Sequence, residues 1–337
     1  MLNPFIQWVE AKGALAPWLF VAVFLAASLL MIWRLEAMSA GGFEGTVLGT
    51  LVMPYCSGMG NLIFAIILGR HGGNGADVMT NSLVNNVTNM TLVIGLTTLL
   101  WGMNVVPQKT EAAGKKKFKP AGDSPQVNRL ALLMTMLAVV FFTGVTWALG
   151  RTGKIGFNEG MVLVGLFLFW QCFHVFEVLK QSARQGHSAW GWMFPVDMAL
   201  LAVGAYGIYA STDWLVYWLG HIQTGFISVQ HLGWLSGWLM VLPNLVLALY
   251  YGLRKQPEVV YASQVGDAHI SIPLCVGLFA LYRPMTMPPI FETAIYVLLI
   301  TTFVHLFCVS LLGRLPRLVG LGLIGAYAWF VWQGLAK

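Results

Sequence analysis

The chain has 337 residues, 58% of them hydrophobic and 9% charged, with a formal net charge of +6. This composition excludes a water-soluble globule and describes a polytopic helical membrane protein. The positive balance does not indicate nucleic acid, because the Lys and Arg residues sit between apolar runs with no aromatic interleaving on an amphipathic face. They read instead as topology signals.

A bilayer span needs ~20 apolar residues. Ten such runs follow one another, at 16–38, 46–69, 78–103, 129–149, 157–179, 191–211, 224–253, 259–282, 289–312 and 315–335. All read as helices, since no two-residue alternation points to a barrel. The first run is too long for a cleavable leader and lacks a basic segment before it, so it is expected to be a true span. Residues 104–128 interrupt the runs with Lys109, Lys115, Lys116, Lys117 and Lys119 among Pro107, Pro120 and Pro125, which reads as a flexible basic cytoplasmic loop.

Orientation follows from Lys and Arg. Arg34, the basic loop with Arg129, Lys180, Arg184, Arg254, Lys255, Arg314 and Arg317 fall on one side. Lys12, Arg70, Arg151, Lys154, Arg283 and Lys337 fall on the other. The richer side is expected to be cytoplasmic, which puts both termini outside, in a bacterial inner membrane. Ten spans divide into two halves of five, and an odd number forces homologous halves to insert with opposite orientation. The expected fold is therefore an all-α membrane protein of two inverted five-helix repeats. The first comprises 1–103 and 129–180, and the second 191–337.

The polar residues inside the spans carry the functional argument. Asn81, Asn85, Asn86 and Asn89 fall in the third run, and Asn81, Asn85 and Asn89 share one helical face. Carboxamides facing lipid cost several kcal/mol each, so the stripe is expected to face helices, a cavity or an ion. The second run carries Pro54 and Tyr55, and the seventh carries Pro243 and Asn244. The eighth carries Gly266-Asp267-Ala268-His269-Ile270-Ser271. Pro54 pairs with Pro243, and Asn81 with Asp267, at offsets differing by three residues. A mid-span Pro frees a carbonyl that can coordinate a cation, and side-chain oxygens suit hard cations.

This arrangement resembles the cation/calcium exchanger superfamily, whose two inverted repeats each carry Gly-Thr-Ser-x-Pro-Glu and then Gly-Asn-x-x-Gly-Ser-Asn-x-x-Asn. Residues 80–89 match the second motif at three Asn positions. In the second half, 266–275 match at Gly266 and Ser271, with Asp267 at a position where the family allows Asn or Asp. The resemblance implies an antiporter working by alternating access of a two-helix bundle against the other helices. Its ion ligands would be Asn81 and Asp267, supported by Asn85, Asn86, Ser271 and Asn244 and by carbonyls near Pro54 and Pro243. The acidic residue that follows each Pro in the family is Tyr55 in one half and Asn244 in the other. Only Asp267 then remains near the centre. One carboxylate balances Na⁺, K⁺ or H⁺, whereas Ca²⁺ would be left with an uncompensated buried charge. Tyr55 can offer a phenol oxygen or plug the site.

Asp267 is also a candidate proton carrier, with His269 a second. Two residues of helix point His269 away from Asp267. Asp197 after Pro195 reads as a helix start, and Glu177 with Lys180 as a surface pair beside His174. Glu159 and Glu292 read as interfacial helix starts. Trp18, Trp101, Trp190, Trp192, Trp214 and Trp218 read as an aromatic belt. Gly58, Gly60, Gly233 and Gly237 are expected at close helix contacts, and Cys56, Cys172, Cys275 and Cys308 as small buried thiols. No nucleotide loop, zinc-protease motif or nucleophile elbow is present, so no enzyme and no resident cofactor is expected. The expected partners are membrane lipid and the transported cation, with a protein or anionic lipid at the basic loop 109–119. A non-transporting subunit or sensor on the same scaffold is the alternative.

Overall fold

The computed structural model describes residues 4–40, 58–104, 125–185, 194–254 and 256–336. Pro54, Tyr55, Cys56 and the basic Lys cluster from Lys109 to Lys119 therefore lie outside the described residues. The described chain is helical, as expected, with four two-residue strands that the apolar pattern does not announce.

The helices are α1 (Pro4–Glu10), α2 (Ala16–Ala40), α3 (Met59–His71) and α4 (Gly75–Trp101). Strand β1 (Met103–Asn104) follows, then α5 (Pro125–Gly150), β2 (Lys154–Ile155), α6 (Phe157–Gln185), α7 (Phe194–Gly220) and α8 (Leu232–Leu253). Helix α9 runs Pro257–Ile270, Ser271–Val276 and Gly277–Tyr282 without a break in winding. The chain closes with β3 (Met285–Thr286), α10 (Phe291–Leu312), β4 (Arg314–Leu315) and α11 (Arg317–Leu335). Eight helices among the described residues are long and apolar enough to cross a membrane, and Met59–His71 and Phe157–Phe173 are shorter apolar helices. Helix α5 starts at Pro125, earlier than the apolar run, because Pro at a first helical turn sacrifices no hydrogen bond.

Local chemistry sets the helix ends. Asn74 caps α4 by accepting the Ala76 N–H at 3.0 Å. Glu159 reaches back to accept the Gly156 N–H at 2.8 Å, as the third residue of a helix does in a capping box. Gly72, at φ 76°, ends α3 in the left-handed conformation that a residue with a Cβ avoids.

The chain forms two compact units. The first comprises Met1–Asn85, Leu149–Pro243 and Ile270–Pro288. In it α2 lies along α7, with Phe20 stacked on Trp214 at 4.2 Å between ring centroids. Asp197 does more than start a helix, because it forms a buried ion pair with Arg34 at 3.4 Å. Trp214 departs from the expected belt. It is buried and donates its Nε1–H to Glu10 at 2.7 Å, whereas Trp18 is exposed. Cys172 in α6 is exposed, unlike the buried Cys275 and Cys308, so only the latter two are the buried thiols expected. Helix α6 packs on the last turns of α9, where a Cβ on Gly160 would come within 3.0 Å of the Gly277 carbonyl. Strands β2 and β3 pair antiparallel.

The second unit comprises Asn86–Ala148, Asn244–His269 and Pro289–Lys337. Here α11 packs on the last turns of α4, and a Cβ on Gly95 would meet the Gly320 carbonyl at 2.9 Å. Strands β1 and β4 pair antiparallel. Each unit thus holds a close glycine contact between helices and a short strand pair.

Candidate functional site

Helices α4 and α9 share a backbone irregularity. Each widens into a π turn partway along, over Asn89–Val93 in α4 and Ser271–Val276 in α9. Such turns break the regular i→i−4 ladder and occur often at functional sites. In α9 the cause is Pro273, which has no N–H to donate. In α4 there is no proline, and Thr91 turns its hydroxyl onto the Val87 carbonyl.

The second unit gathers a polar cluster around Asp267, which is fully buried. Asn89 Nδ2 donates to Asp267 Oδ2 at 2.8 Å, and Asn244 Nδ2 donates to the same oxygen at 3.1 Å. Gln264 Nε2 donates to the Asn244 carbonyl at 3.3 Å, and Asn86 Nδ2 to the Ala268 carbonyl at 3.0 Å. A carboxylate only accepts, so the amides must turn their nitrogens toward it. Their oxygens are left over. Asn89 Oδ1, Asn244 Oδ1 and Gln264 Oε1 are buried without a hydrogen-bond partner. An unsatisfied buried acceptor costs about 1–3 kcal/mol, and side-chain oxygens are the atoms that hard cations take as ligands. Among the described residues no three His, Cys, Asp or Glu side chains converge in a group that could hold a metal ion.

The first unit holds a smaller and neutral cluster. Asn81 Nδ2 donates to Ser236 Oγ at 3.0 Å, and Ser236 Oγ donates to the Gly233 carbonyl at 3.2 Å. Glycine makes the approach of α8 to α4 feasible. A Cβ on Gly233 would lie 2.9 Å from the Asp77 carbonyl, and one on Gly237 3.0 Å from the Asn81 carbonyl. Both glycines are therefore at close contacts, as the sequence leads one to expect.

Each expected ligand is described within its own unit. Asn81 takes Ser236 as its hydrogen-bond acceptor, while Asp267 receives Asn89 and Asn244. Asn85, Asn86, Ser271 and His269 are all buried, and Ser271 opens the π turn of α9. Pro243 lies inside α8, immediately before Asn244. Pro54 and Tyr55 are outside the described residues, as is the basic loop. Gln264 and Ser236 join these clusters although the sequence does not single them out, and Asn89 is singled out there only as a member of the stripe. Asn89 is the last member of the stripe, and Gln264 sits three residues before Asp267, on the same helical face.

Buried amides thus gather around one acid on membrane-length helices interrupted by π turns. The sodium/calcium exchanger protein family matches residues 13–176 and 196–333, and the chain belongs to that family, whose members transport inorganic cations. The fold agrees with solved structures of the sodium-calcium exchanger NCX_Mj. The form soaked with 2.5 mM Na⁺ and 1 mM Sr²⁺ superposes with a TM-score of 0.65 at 15% identity, covering 94% of this chain and 96% of that one. The form soaked with 10 mM Na⁺ and 10 mM Sr²⁺ gives 0.64 at 15% identity, covering 94% and 97%. None of the curated protein sequences matches the chain.

Proposed function

We propose that the protein is a secondary cation transporter that binds a monovalent cation or a proton at Asp267, with Ca²⁺ disfavoured. The observation that carries this reading is the pairing of one buried carboxylate with the unpartnered oxygens of Asn89, Asn244 and Gln264. A single negative charge neutralises Na⁺, K⁺ or H⁺, and a dication there would leave a buried positive charge costing several kcal/mol. Asn86 is a further buried polar group of the same unit, and Asn81, Asn85 and Ser271 are buried polar groups of the first unit. Pro243 loosens α8 at the turn that delivers Asn244.

The reading includes ten spans in two inverted halves with both termini outside. It is supported by the parallel construction of α4 and α9. Asn85 precedes its π turn by four residues, as Asp267 precedes the other, and Gly95 and Gly277 follow the starts of these turns by six. This register pairs Asp267 with Asn85, one helical turn from the Asn81 pairing that the sequence motifs suggest. The swapped contacts, α11 on α4 and α6 on α9, fit the same symmetry.

The test is ion-dependent stabilisation of purified protein in detergent, with Na⁺, K⁺, Li⁺, Ca²⁺, Mg²⁺ and pH varied. An ion bound only by the folded state raises the melting temperature by mass action. A rise with a monovalent ion or with pH, absent in Asp267→Asn, is the expected result. A rise with Ca²⁺ alone would overturn the charge argument, and no response to any ion would favour a non-transporting scaffold.

A further inference from the structure

His305 is fully buried in α10, where a titratable ring is costly to place without a purpose. Its Nε2 lies 2.9 Å from the carbonyl oxygen of Met90 in the π turn of α4. A carbonyl can only accept, so Nε2 carries the hydrogen and donates. The reason this carbonyl needs a donor lies in the widened turn. In an α-helix Met90 would receive the N–H of Ile94, but that N–H bonds to the carbonyls of Asn89 and Thr91 and passes over Met90. His305 replaces the displaced donor. The ring itself is held from α9, where Tyr261 meets it edge-on at 5.4 Å between centroids and 78° between planes.

Asn89, the residue before Met90, donates to Asp267. We propose that His305 is a positioning residue for the Asp267 site: by satisfying the Met90 carbonyl it holds the π turn open in the form that presents the Asn89 amide to the carboxylate. The inference rests on the reading of Asp267 as the ion site for its effect on binding, but not for its effect on the turn. Removal of the donor lets α4 rewind toward a regular ladder, which rotates Asn89 relative to Asp267. Glutamine keeps an N–H in the same place, whereas methionine and alanine do not.

Two measurements on the full chain in detergent test this. The first is hydrogen exchange, followed by mass spectrometry, of the peptide covering Asn89–Gly95. The second is the Na⁺, K⁺ or H⁺ concentration giving half-maximal thermal stabilisation. His305→Met is expected to change exchange across this segment and to raise the half-saturating concentration about tenfold, the equivalent of one buried hydrogen bond. His305→Gln is expected to stay within about threefold of wild type in both. His305→Ala serves as a second donor-free variant if His305→Met does not fold. Unchanged exchange in the donor-free variants overturns the proposal. So does His305→Gln behaving like His305→Met, because ring packing and not donation would then matter. Altered exchange with an unchanged ion midpoint reduces His305 to a packing role and also overturns it. If wild type responds to no ion, the Asp267 reading has failed, and the exchange arm alone decides what His305 does to the turn.

Discussion

The two polar clusters along α4 solve opposite problems. At Asn81 a neutral amide meets a neutral hydroxyl, and Ser236 passes the bond on to a backbone carbonyl. At Asp267 two amides converge on a single carboxylate oxygen, and each leaves an unpartnered oxygen behind. The first arrangement is what packing two membrane helices requires, since a buried donor finds an acceptor on its neighbour. The second adds an acid, Asp267, to its buried amides, while an unpartnered amide oxygen is common to both, Asn81 Oδ1 in the first and the Oδ1 atoms of Asn89 and Asn244 in the second. What distinguishes the two buried clusters is therefore the acid and not the leftover amide oxygens.

The sharpest way to break this comparison is to change the charge at the second cluster. Asn244→Asp would place a second carboxylate within hydrogen-bond reach of Asp267, where two like charges cannot both ionise unless a cation lies between them. We expect a stabilising response to Ca²⁺ that wild type lacks, together with loss of the monovalent response. A variant that still prefers Na⁺ or K⁺ in the melting assay would mean that charge does not set selectivity. Next in size is Asn89→Ala, which removes one donor to Asp267 and one surplus oxygen. It should weaken the ion response about tenfold, read as the half-saturating concentration. Gly95→Ala and Gly277→Ala come third. Each new Cβ would crowd a neighbouring helix, at 2.9 Å from the Gly320 carbonyl in one case and 2.8 Å from Val164 in the other. Each should cost about 1–3 kcal/mol of stability with the ion midpoint unmoved, and markedly unequal losses would argue against equivalent roles. The smallest effect belongs to the neutral cluster. Ser236→Ala should lower stability by about 1 kcal/mol and shift the ion midpoint less than about threefold. Abolition of the response by that change would move the centre of the site to Asn81.

Much of this was readable from residue order. Apolar runs of sufficient length fix the helices, and a lone acid inside one of them marks the candidate site, because hydrocarbon makes such residues expensive. The partner of Asp267 was not readable. The stripe Asn81, Asn85, Asn89 offers three equivalent amides on one face, and only the rotation of α4 against α8 and α9 selects Asn89. The π turns were hidden for a related reason. Pro273 announces one of them, but the turn in α4 depends on His305 from a helix more than two hundred residues later. The short strands at Met103, Lys154, Met285 and Arg314 are too brief for any alternation to register. Asp197 looked like an ordinary helix start because its partner, Arg34, belongs to a distant span and was counted only as a topology signal.

Those strand pairs have a consequence for how the protein is made. The end of α4 is clasped by Arg314–Leu315, and the stretch before α6 by Met285–Thr286. A ribosome delivers both of the earlier strands long before their partners exist. The first half of the chain therefore enters the bilayer with two loose ends and cannot reach its finished form until the second half has followed. Halves made as separate polypeptides would have to find one another in the membrane before either could close, and a nascent chain arrested before Arg314 would lack the clasp on α4 altogether.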